Sequence, residues 1–172
     1  MIIREERAED FDAIRAMVEA AFRAPNPHGK ADYLPTEHLI VAALRRAGAL
    51  TLALVAEHSG TIIGHIAFSP VLIDSRSQGW HGLAPLSVHP AHQNRGIGGR
   101  LVLEGLSRLA ALNSKGCVVL GSPRYYGRLG FTARAELHLA GVPSQYFMTL
   151  SFGDSLPSGV VTYHNAFAEV TR

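Results

Sequence analysis

One stretch of the chain, Leu83–Glu104 (LAPLSVHPAHQNRGIGGRLVLE), combines glycines and arginines with apolar residues at helical spacing. Its glycines and arginines are Gly96, Gly98, Gly99, Arg95 and Arg100. A glycine-rich turn can bring several backbone N–H groups close together, because no Cβ obstructs them. The start of the following helix adds free N–H groups and a partial positive charge. The stretch therefore predicts a binding site for a phosphate-bearing ligand.

The spacing of these glycines disfavours two common phosphate sites. A P-loop requires Gly-Lys-Ser/Thr after its four-residue gap, whereas this chain has Gly-Gly-Arg there, without the lysine or the hydroxyl. A dinucleotide fingerprint requires G-x-G-x-x-G directly after the first strand. The segment Gly96–Leu101 lacks the third glycine and lies in the middle of the chain.

The remaining pattern is a Q-x-x-G-x-G turn at Gln93–Gly98, preceded by Leu-x-Val at Leu86–Val88. This combination resembles the acetyl-CoA-binding motif of the GNAT N-acetyltransferase superfamily. The resemblance implies that the amides of the turn bind the pyrophosphate of CoA and that the strand pairs with the pantetheine arm. The alternative is a glycine-rich loop that only connects the strand to the helix and binds no ligand. The implied cofactor-binding residues are Leu86, Ser87, Val88, Gln93, Asn94, Arg95, Gly96, Ile97, Gly98, Gly99 and Arg100.

A second segment, Arg124–Phe131 (RYYGRLGF), resembles the aromatic-Tyr-x-x-x-Gly-Phe signature of the same family. The resemblance implies that Tyr126 is the general acid, since a phenol with a pKa of about 10 can protonate the departing CoA thiolate. We expect Tyr125 mainly to pack. The alternative is that both tyrosines are core aromatics. The segments Gly121–Tyr126 and Pro157–His164 resemble a bacterial subgroup of uncharacterised acetyltransferases, the YhbS-like proteins.

A general base is harder to identify, because an amine with a pKa of about 10.4 must lose a proton before it attacks. Glu37 and His81 are the base candidates that we retain, and His38 and His65 are also considered. Glu37 and His38 border the loop that usually forms the acceptor site in this family. Each has a structural explanation as well, since a glutamate favours the first turn of a helix. Some family members use ordered water instead of a single base.

The composition sets the class of the protein. A chain of 172 residues predicts one domain, spanning 1–172, with 47% hydrophobic and 17% charged residues. A net charge of +2 does not favour a nucleic-acid partner. No apolar run reaches the roughly 20 residues of a membrane span, and the N-terminus is acidic where a signal peptide is apolar. The single cysteine, Cys117, fits a cytoplasmic location, and the histidines show no metal-ligand spacing, so we expect no metal.

Periodicity predicts the elements that position these motifs. Helices are predicted at Ala8–Phe22, Thr36–Ala47, Gly98–Leu112 and Pro123–Leu129, with a Pro-rich loop at Ala24–Pro35. Strands are predicted at Met1–Glu5, Leu50–Glu57, Thr61–Ile73, Trp80–Val88, Gly116–Leu120, Phe131–Leu139 and Gln145–Phe152, and in the tail at Gly159–Phe167. The order predicts a mixed α/β sheet that is antiparallel in its hairpins. The resemblance implies the GNAT fold, a mostly antiparallel sheet flanked by helices, with CoA between Val88 and Gly116–Leu120, where the central strands splay.

These observations favour an N-acetyltransferase that moves the acetyl group of acetyl-CoA to a primary amine by direct attack. The amine belongs to a small molecule or a peptide, which the sequence does not identify. Homodimers are common in the family. The alternative function is a non-catalytic acyl-CoA-binding sensor or regulatory module, and turnover on any amine would distinguish the two.

Overall fold

The computed structural model describes residues 1–23 and 36–170. The helices in this part of the chain are α1 (Phe11–Arg23), α2 (Glu37–Arg46), α3 (Ile97–Ala111), α4 (Pro123–Tyr126) and α5 (Ala166–Val170). The strands are β1 (Ile2–Glu5), β2 (Leu52–His58), β3 (Thr61–Ile73), β4 (Arg76–Val88), β5 (Gly116–Leu120), β6 (Thr132–Ala133), β7 (Leu137–His138), β8 (Phe147–Ser151) and β9 (Gly159–Thr162). The predicted loop Ala24–Pro35 lies outside the described residues.

The strands form one sheet in the order β1-β2-β3-β4-β5-β8-β6, with β9 pairing with β3 and β7. Neighbouring strands along this order are antiparallel except β4 and β5, which are parallel. The mixed α/β sheet with antiparallel hairpins is therefore confirmed. The parallel pair is connected by α3, as parallel neighbours require a crossover.

The two faces of the sheet carry different helices, because successive residues of a strand point to opposite sides. Gly64 of β3 faces α3, and its missing side chain lets Leu101 approach to 2.9 Å of the position a Cβ would take. The next residue, His65, faces the other side, where its ring contacts Glu6 beside Arg45 of α2. We call these sides the α3 face and the α1–α2 face.

The central feature of the sheet is the separation of β4 from β5. These strands pair only between Trp80–Gly82 and Gly116–Val118. From Leu83 onward the β5-facing edge of β4 has no partner strand among the described residues, so no neighbouring strand bonds the N–H and C=O groups of this edge. We call the end of pairing at Gly82 and Val118 the separation point. The splayed central strands implied by the family resemblance are thus present.

A bulge lies on β4 directly after the separation point. Ile66 pairs with Leu86 and Phe68 with Leu83, so Ala84 and Pro85 together oppose one residue of β3. Proline within a sheet is confined mainly to edges and bulges, because it has no N–H for the ladder. The bulge re-aims the following segment, and Leu86 and Val88 face α3.

A buried ionic cluster fastens α2 to the sheet. The Glu6 carboxylate accepts hydrogen bonds from Nε and Nη2 of Arg45 at 2.9 Å each, and its Oε2 lies 2.9 Å from His65 Nε2. Burial raises the pKa of Glu6, but its contacts with His65 and Arg45 outweigh burial and leave that pKa below its ordinary value. The carboxylate therefore stays ionised and holds the last turn of α2 in place.

Two predictions for the C-terminal third are wrong. The predicted strand Phe131–Leu139 consists of two short strands with different partners, since β6 pairs with β8 and β7 pairs with β9. The predicted tail strand ends at Thr162, and α5 follows instead. His164 Nδ1 accepts a hydrogen bond from the Ala166 amide at 3.2 Å and so marks the change from strand to helix.

The fourth strand begins earlier than its predicted start at Trp80. The turn before it falls at Asp74 and Ser75, which have φ values of 48° and 61°, and β4 already begins at Arg76. Two left-handed residues of this kind make the tight hairpin turn whose twist matches the strands.

Candidate active site

A cleft of about 370 Å³ opens between the free edge of β4 and the start of α3. Leu86 and Val88 form its strand side, and Tyr125 of α4 closes the opposite side. The remaining lining residues come from the connection to α3 and its first turn: His92, Gln93, Asn94, Gly96, Ile97, Gly98 and Gly99. The structure therefore brings together both predicted motifs around one cleft.

The first turn of α3 offers backbone donors to this cleft. Gly96 precedes the helix with φ of 76°, and its carbonyl accepts from the Arg100 amide at 3.1 Å. The amides of Ile97, Gly98 and Gly99 precede that first bond, so the helix leaves them unpaired. Together with the helix dipole they form a site for a negatively charged group such as a phosphate.

Other predicted cofactor-binding residues take different positions. Gln93 folds back, and its Nε2 donates to the Val88 carbonyl at 3.0 Å. Arg95 is exposed within the turn, and Arg100 borders a separate groove with Leu103. The Ser87 side chain is 3% exposed and lies on the α1–α2 face, so only its backbone can reach the cleft.

The two tyrosines of α4 have different surroundings. Tyr125 packs edge-on against Tyr126 with centroids 5.0 Å apart, as predicted, but it is also 40% exposed and lines the cleft. Sequence reasoning missed this second contact. Tyr126 is partly buried, and its ring packs against Phe131 at 5.7 Å. Burial, and then the neighbouring Tyr125 and Cys117, raise the pKa of Tyr126, so its hydroxyl remains protonated well above neutral pH.

The base candidates lie apart from one another. His81 is on the paired part of β4, where its Nδ1 lies 2.7 Å from Ser114 Oγ, and it does not line the cleft. Burial lowers the pKa of His81, so its ring is neutral at pH 7. Glu37 is in the first turn of α2, on the α1–α2 side. His38 Nε2 lies 3.4 Å from Glu19, and His65 is bound to Glu6.

Cys117 is fully buried in β5, and burial raises the pKa of its thiol. A protonated, buried thiol is a poor nucleophile. Within residues 1–23 and 36–170 no group of three or more His, Cys, Asp and Glu side chains could hold a metal ion. No helix of the same ranges is long and apolar enough to cross a membrane.

A second, larger cleft of about 550 Å³ lies near the start of α1. Its charged residues bind one another, since Arg4 contacts Asp10 at 2.7 Å and Glu57 at 2.8 Å. This cleft lacks a glycine-rich turn and lies away from the tyrosines of α4. We therefore place the candidate active site at the cleft between β4 and α3, although it is the smaller of the two clefts.

Comparison with known proteins decides the family. A model of the acetyltransferase (GNAT) domain matches residues 50–133. The sequence is 34% identical to an uncharacterized N-acetyltransferase, YhbS of Escherichia coli strain K12, over 97% of this chain and 98% of the relative. The chain belongs to the GNAT acetyltransferase family. The predicted resemblance to YhbS-like proteins is thereby confirmed.

Solved GNAT structures support the fold over nearly the full length. A GNAT family acetyltransferase from Brucella melitensis, solved in complex with acetyl-CoA, is 49% identical with a TM-score of 0.83, covering 96% of this chain and 97% of that one. The YhbS structure from Escherichia coli, solved in complex with CoA, is 32% identical with a TM-score of 0.87, covering 97% and 91%. The protein therefore has the GNAT fold.

Several buried polar atoms on the GNAT sheet's α1–α2 side have no hydrogen-bond partner among the described residues. They are His38 Nδ1, His65 Nδ1, Ser69 Oγ, Ser87 Oγ and Tyr163 Oη. His65 and Ser87 are cross-strand partners, so their side chains share a face. Sequence reasoning gave no role to Ser69 or Tyr163. The periodicity of a strand indicates burial, but it does not show whether a polar atom is satisfied.

Proposed function

We propose that the protein is an acetyl-CoA-dependent N-acetyltransferase that acetylates a primary amine of a small molecule or a peptide by direct attack. The observation that carries the proposal is the free edge of β4 running into the unpaired amides of α3. One continuous surface then offers strand-like bonds for the pantetheine arm and N–H donors for the pyrophosphate. The acetyl-CoA and CoA complexes of the related structures support this choice of co-substrate.

In this proposal the pantetheine arm lies beside Leu86 and Val88, and the pyrophosphate lies over Gly96, Gly98 and Gly99. The acetyl group then reaches the bulge on β4, near the separation point. A backbone N–H of this segment donates to the carbonyl oxygen as negative charge develops, and such a donor contributes about 3 kcal/mol to transition-state stabilisation. Arg95 and Arg100 add long-range attraction for the phosphates.

Tyr126 is proposed as the general acid. The amine nitrogen forms a bond to the thioester carbon, the C–S bond breaks, and the departing thiolate takes the phenolic proton of Tyr126. Because its pKa is raised, the phenol keeps that proton until the thiolate develops. Tyr126 then recovers a proton from the solvent or from the product nitrogen.

Glu37 is the base candidate that the geometry favours over His81. In this proposal the acceptor approaches from the α1–α2 face, opposite α3 and the cleft, and Glu37 begins α2 on that side. His81 instead has its Nδ1 at hydrogen-bond distance from Ser114. The general base removes one proton from the ammonium form of the acceptor.

The proposal is tested by measuring thiol release from acetyl-CoA with a panel of amines: small-molecule amines, peptide N-termini and lysine-containing peptides. Direct attack requires both substrates to be bound together. Double-reciprocal plots of the rate against one substrate, at several fixed concentrations of the other, should therefore intersect. Parallel lines would indicate an acyl-enzyme and contradict direct attack. Tight acetyl-CoA binding without release on any amine would contradict the enzyme and favour the acyl-CoA-binding module.

A further inference from the structure

Tyr163 lies across the point where β4 and β5 separate. It follows β9, which pairs with β3 at Leu72 and Ile73. Its ring covers Gly82 so closely that any Cβ at Gly82 would collide with it. Gly82 is the last residue of β4 that pairs with β5. The ring therefore sits at the separation point, on the α1–α2 face.

The hydroxyl of Tyr163 is buried and has no hydrogen-bond partner in the part of the chain that the structure describes. The ring itself packs against Phe167, with centroids 5.1 Å apart. A phenylalanine would make the same packing contacts without leaving a buried hydroxyl unsatisfied. Buried hydroxyls without a partner are uncommon in native proteins and call for a specific explanation.

The buried position of the Tyr163 hydroxyl determines its protonation state. Burial, and then the neighbouring Cys117 and Tyr126, raise the pKa of Tyr163. A phenol with a raised pKa remains a neutral donor at physiological pH. Tyr126 packs with the core of the α3 face, and Tyr163 approaches from the other side of the sheet.

We propose that Tyr163 donates a hydrogen bond to the carbonyl oxygen of the acetyl thioester, an assignment that rests on the proposed function. As the amine forms its bond to the carbonyl carbon, the C=O π pair moves onto the oxygen. The Tyr163 O–H and a backbone N–H of the β4 bulge hold that charge. The pair returns when the C–S bond breaks, and Tyr163 neither gains nor loses a proton.

In this proposal Tyr126 and Tyr163 act on different atoms of the thioester. Tyr126 serves the sulfur, which must leave with a proton, and Tyr163 serves the oxygen, which needs only a donor. Gly82 is required for this arrangement, since a side chain there would displace the ring. Tyr163 is therefore a catalytic residue in this account.

The test uses acetyl-CoA labelled with ¹³C at the acetyl carbonyl, bound to the full-length protein. A hydrogen bond to the carbonyl oxygen lowers the carbonyl stretching frequency, so we expect a lower frequency in the wild type than in free acetyl-CoA. Tyr163→Phe should return the frequency toward the free value. Tyr146→Phe, a substitution of a 44% exposed tyrosine, is the matched control and should leave the lowered frequency unchanged.

Binding provides a second readout. The preference for acetyl-CoA over CoA, measured by calorimetry, should fall about 2- to 10-fold in Tyr163→Phe, as expected for one lost hydrogen bond, while CoA affinity stays the same. An unchanged frequency and preference would overturn the proposal. A several-degree fall in the melting temperature of unliganded Tyr163→Phe would also overturn it, because it would indicate a structural partner. Failure of the wild type to bind acetyl-CoA would instead defeat the proposed function itself.

Discussion

Gly98 and Tyr125 face each other across the cleft so closely that a Cβ on Gly98 would lie 2.5 Å from the Tyr125 hydroxyl. The contact joins the first turn of α3 to α4, two elements connected through β5. It also fixes the width of the cleft at the point where the amides of α3 are unpaired.

Replacing Gly98 with alanine should therefore block the cleft without unfolding the protein. The added methyl group must displace Tyr125, and overpacking of this kind costs about 1–3 kcal/mol. We expect Gly98→Ala to weaken acetyl-CoA binding about tenfold or more by calorimetry. Gly127→Ala is the matched control, since a Cβ there meets nothing within 4 Å, and it should bind normally. Equal affinity of both variants would contradict the placement of the cofactor.

Removing the Tyr126 hydroxyl should slow the reaction but preserve binding. Positioned general acids contribute about 10²–10⁴-fold, so Tyr126→Phe should reduce kcat by about that factor, measured by thiol release. Because the pKa of Tyr126 is raised, wild-type kcat should not decline through loss of its proton below about pH 10, the ordinary value of a phenol. Full turnover of Tyr126→Phe on a confirmed substrate would remove the assignment.

Glu37→Gln should reduce kcat/KM at neutral pH, where an amine acceptor is protonated. The deficit should shrink as the pH approaches the pKa of the amine, about 10.4 for a lysine-like acceptor, since the free amine then needs no base. Steady-state rates from pH 6 to 10 measure this. Glu9→Gln, a change of a carboxylate whose side chain is 72% exposed, is the control. A deficit that is constant with pH would argue that Glu37 is not the base.

The elements that carry clear periodicity could be predicted from the sequence. The hairpin strands, α1 and α3 lie within about four residues of their predicted bounds, because β2 and β3 are apolar runs bounded by turn residues and the two helices carry apolar residues at every third and fourth position. The two-residue strands β6 and β7 are too short for any periodicity, and their partners are distant in the chain. The sequence therefore predicts one strand at Phe131–Leu139 where the structure has two.

The site could be predicted only where its residues are consecutive. The turn from Gln93 to Gly98 is a local pattern, so the sequence indicated its position beside α3. Tyr163 meets Gly82 only through the pairing of β9 with β3, which no local pattern specifies. The separation of β4 from β5 was implied by the family resemblance and not by periodicity. The homodimer and the cytoplasmic location stay predictions.

The ion pair of Arg4 and Asp10 should control acid stability. The Asp10 carboxylate accepts from Nη1 and Nη2 of Arg4 at 2.7 and 2.9 Å. Hydrogen bonding from Arg4 lowers the pKa of Asp10, burial opposes it, and the net pKa lies below the ordinary value. The stabilisation is therefore complete at neutral pH and is lost as the pH falls through the lowered pKa, below about 4.

Asp10→Asn should accordingly lower the free energy of unfolding by about 2 kcal/mol at pH 7, because it removes one of the two carboxylates that pair with the partly buried Arg4 guanidinium and leaves only Glu57. Urea denaturation at pH 7 and pH 3 measures the loss, which should be smaller at pH 3. Asp12→Asn is the control, since the Asp12 side chain is 98% exposed. This substitution should change the free energy of unfolding by less than about 0.5 kcal/mol. Similar losses for both substitutions would contradict the account.

The most direct test of the central claim is a thermal melt of the protein with acetyl-CoA, with CoA and with Mg-ATP. A ligand at a hundred times its dissociation constant stabilises by about 2.7 kcal/mol, which corresponds to roughly 5–10 °C for a domain of this size. We predict such a shift with acetyl-CoA and with CoA, and none with Mg-ATP. No shift with either CoA species would mean that the turn from Gln93 to Gly98 only connects β4 to α3, and would contradict the proposed function.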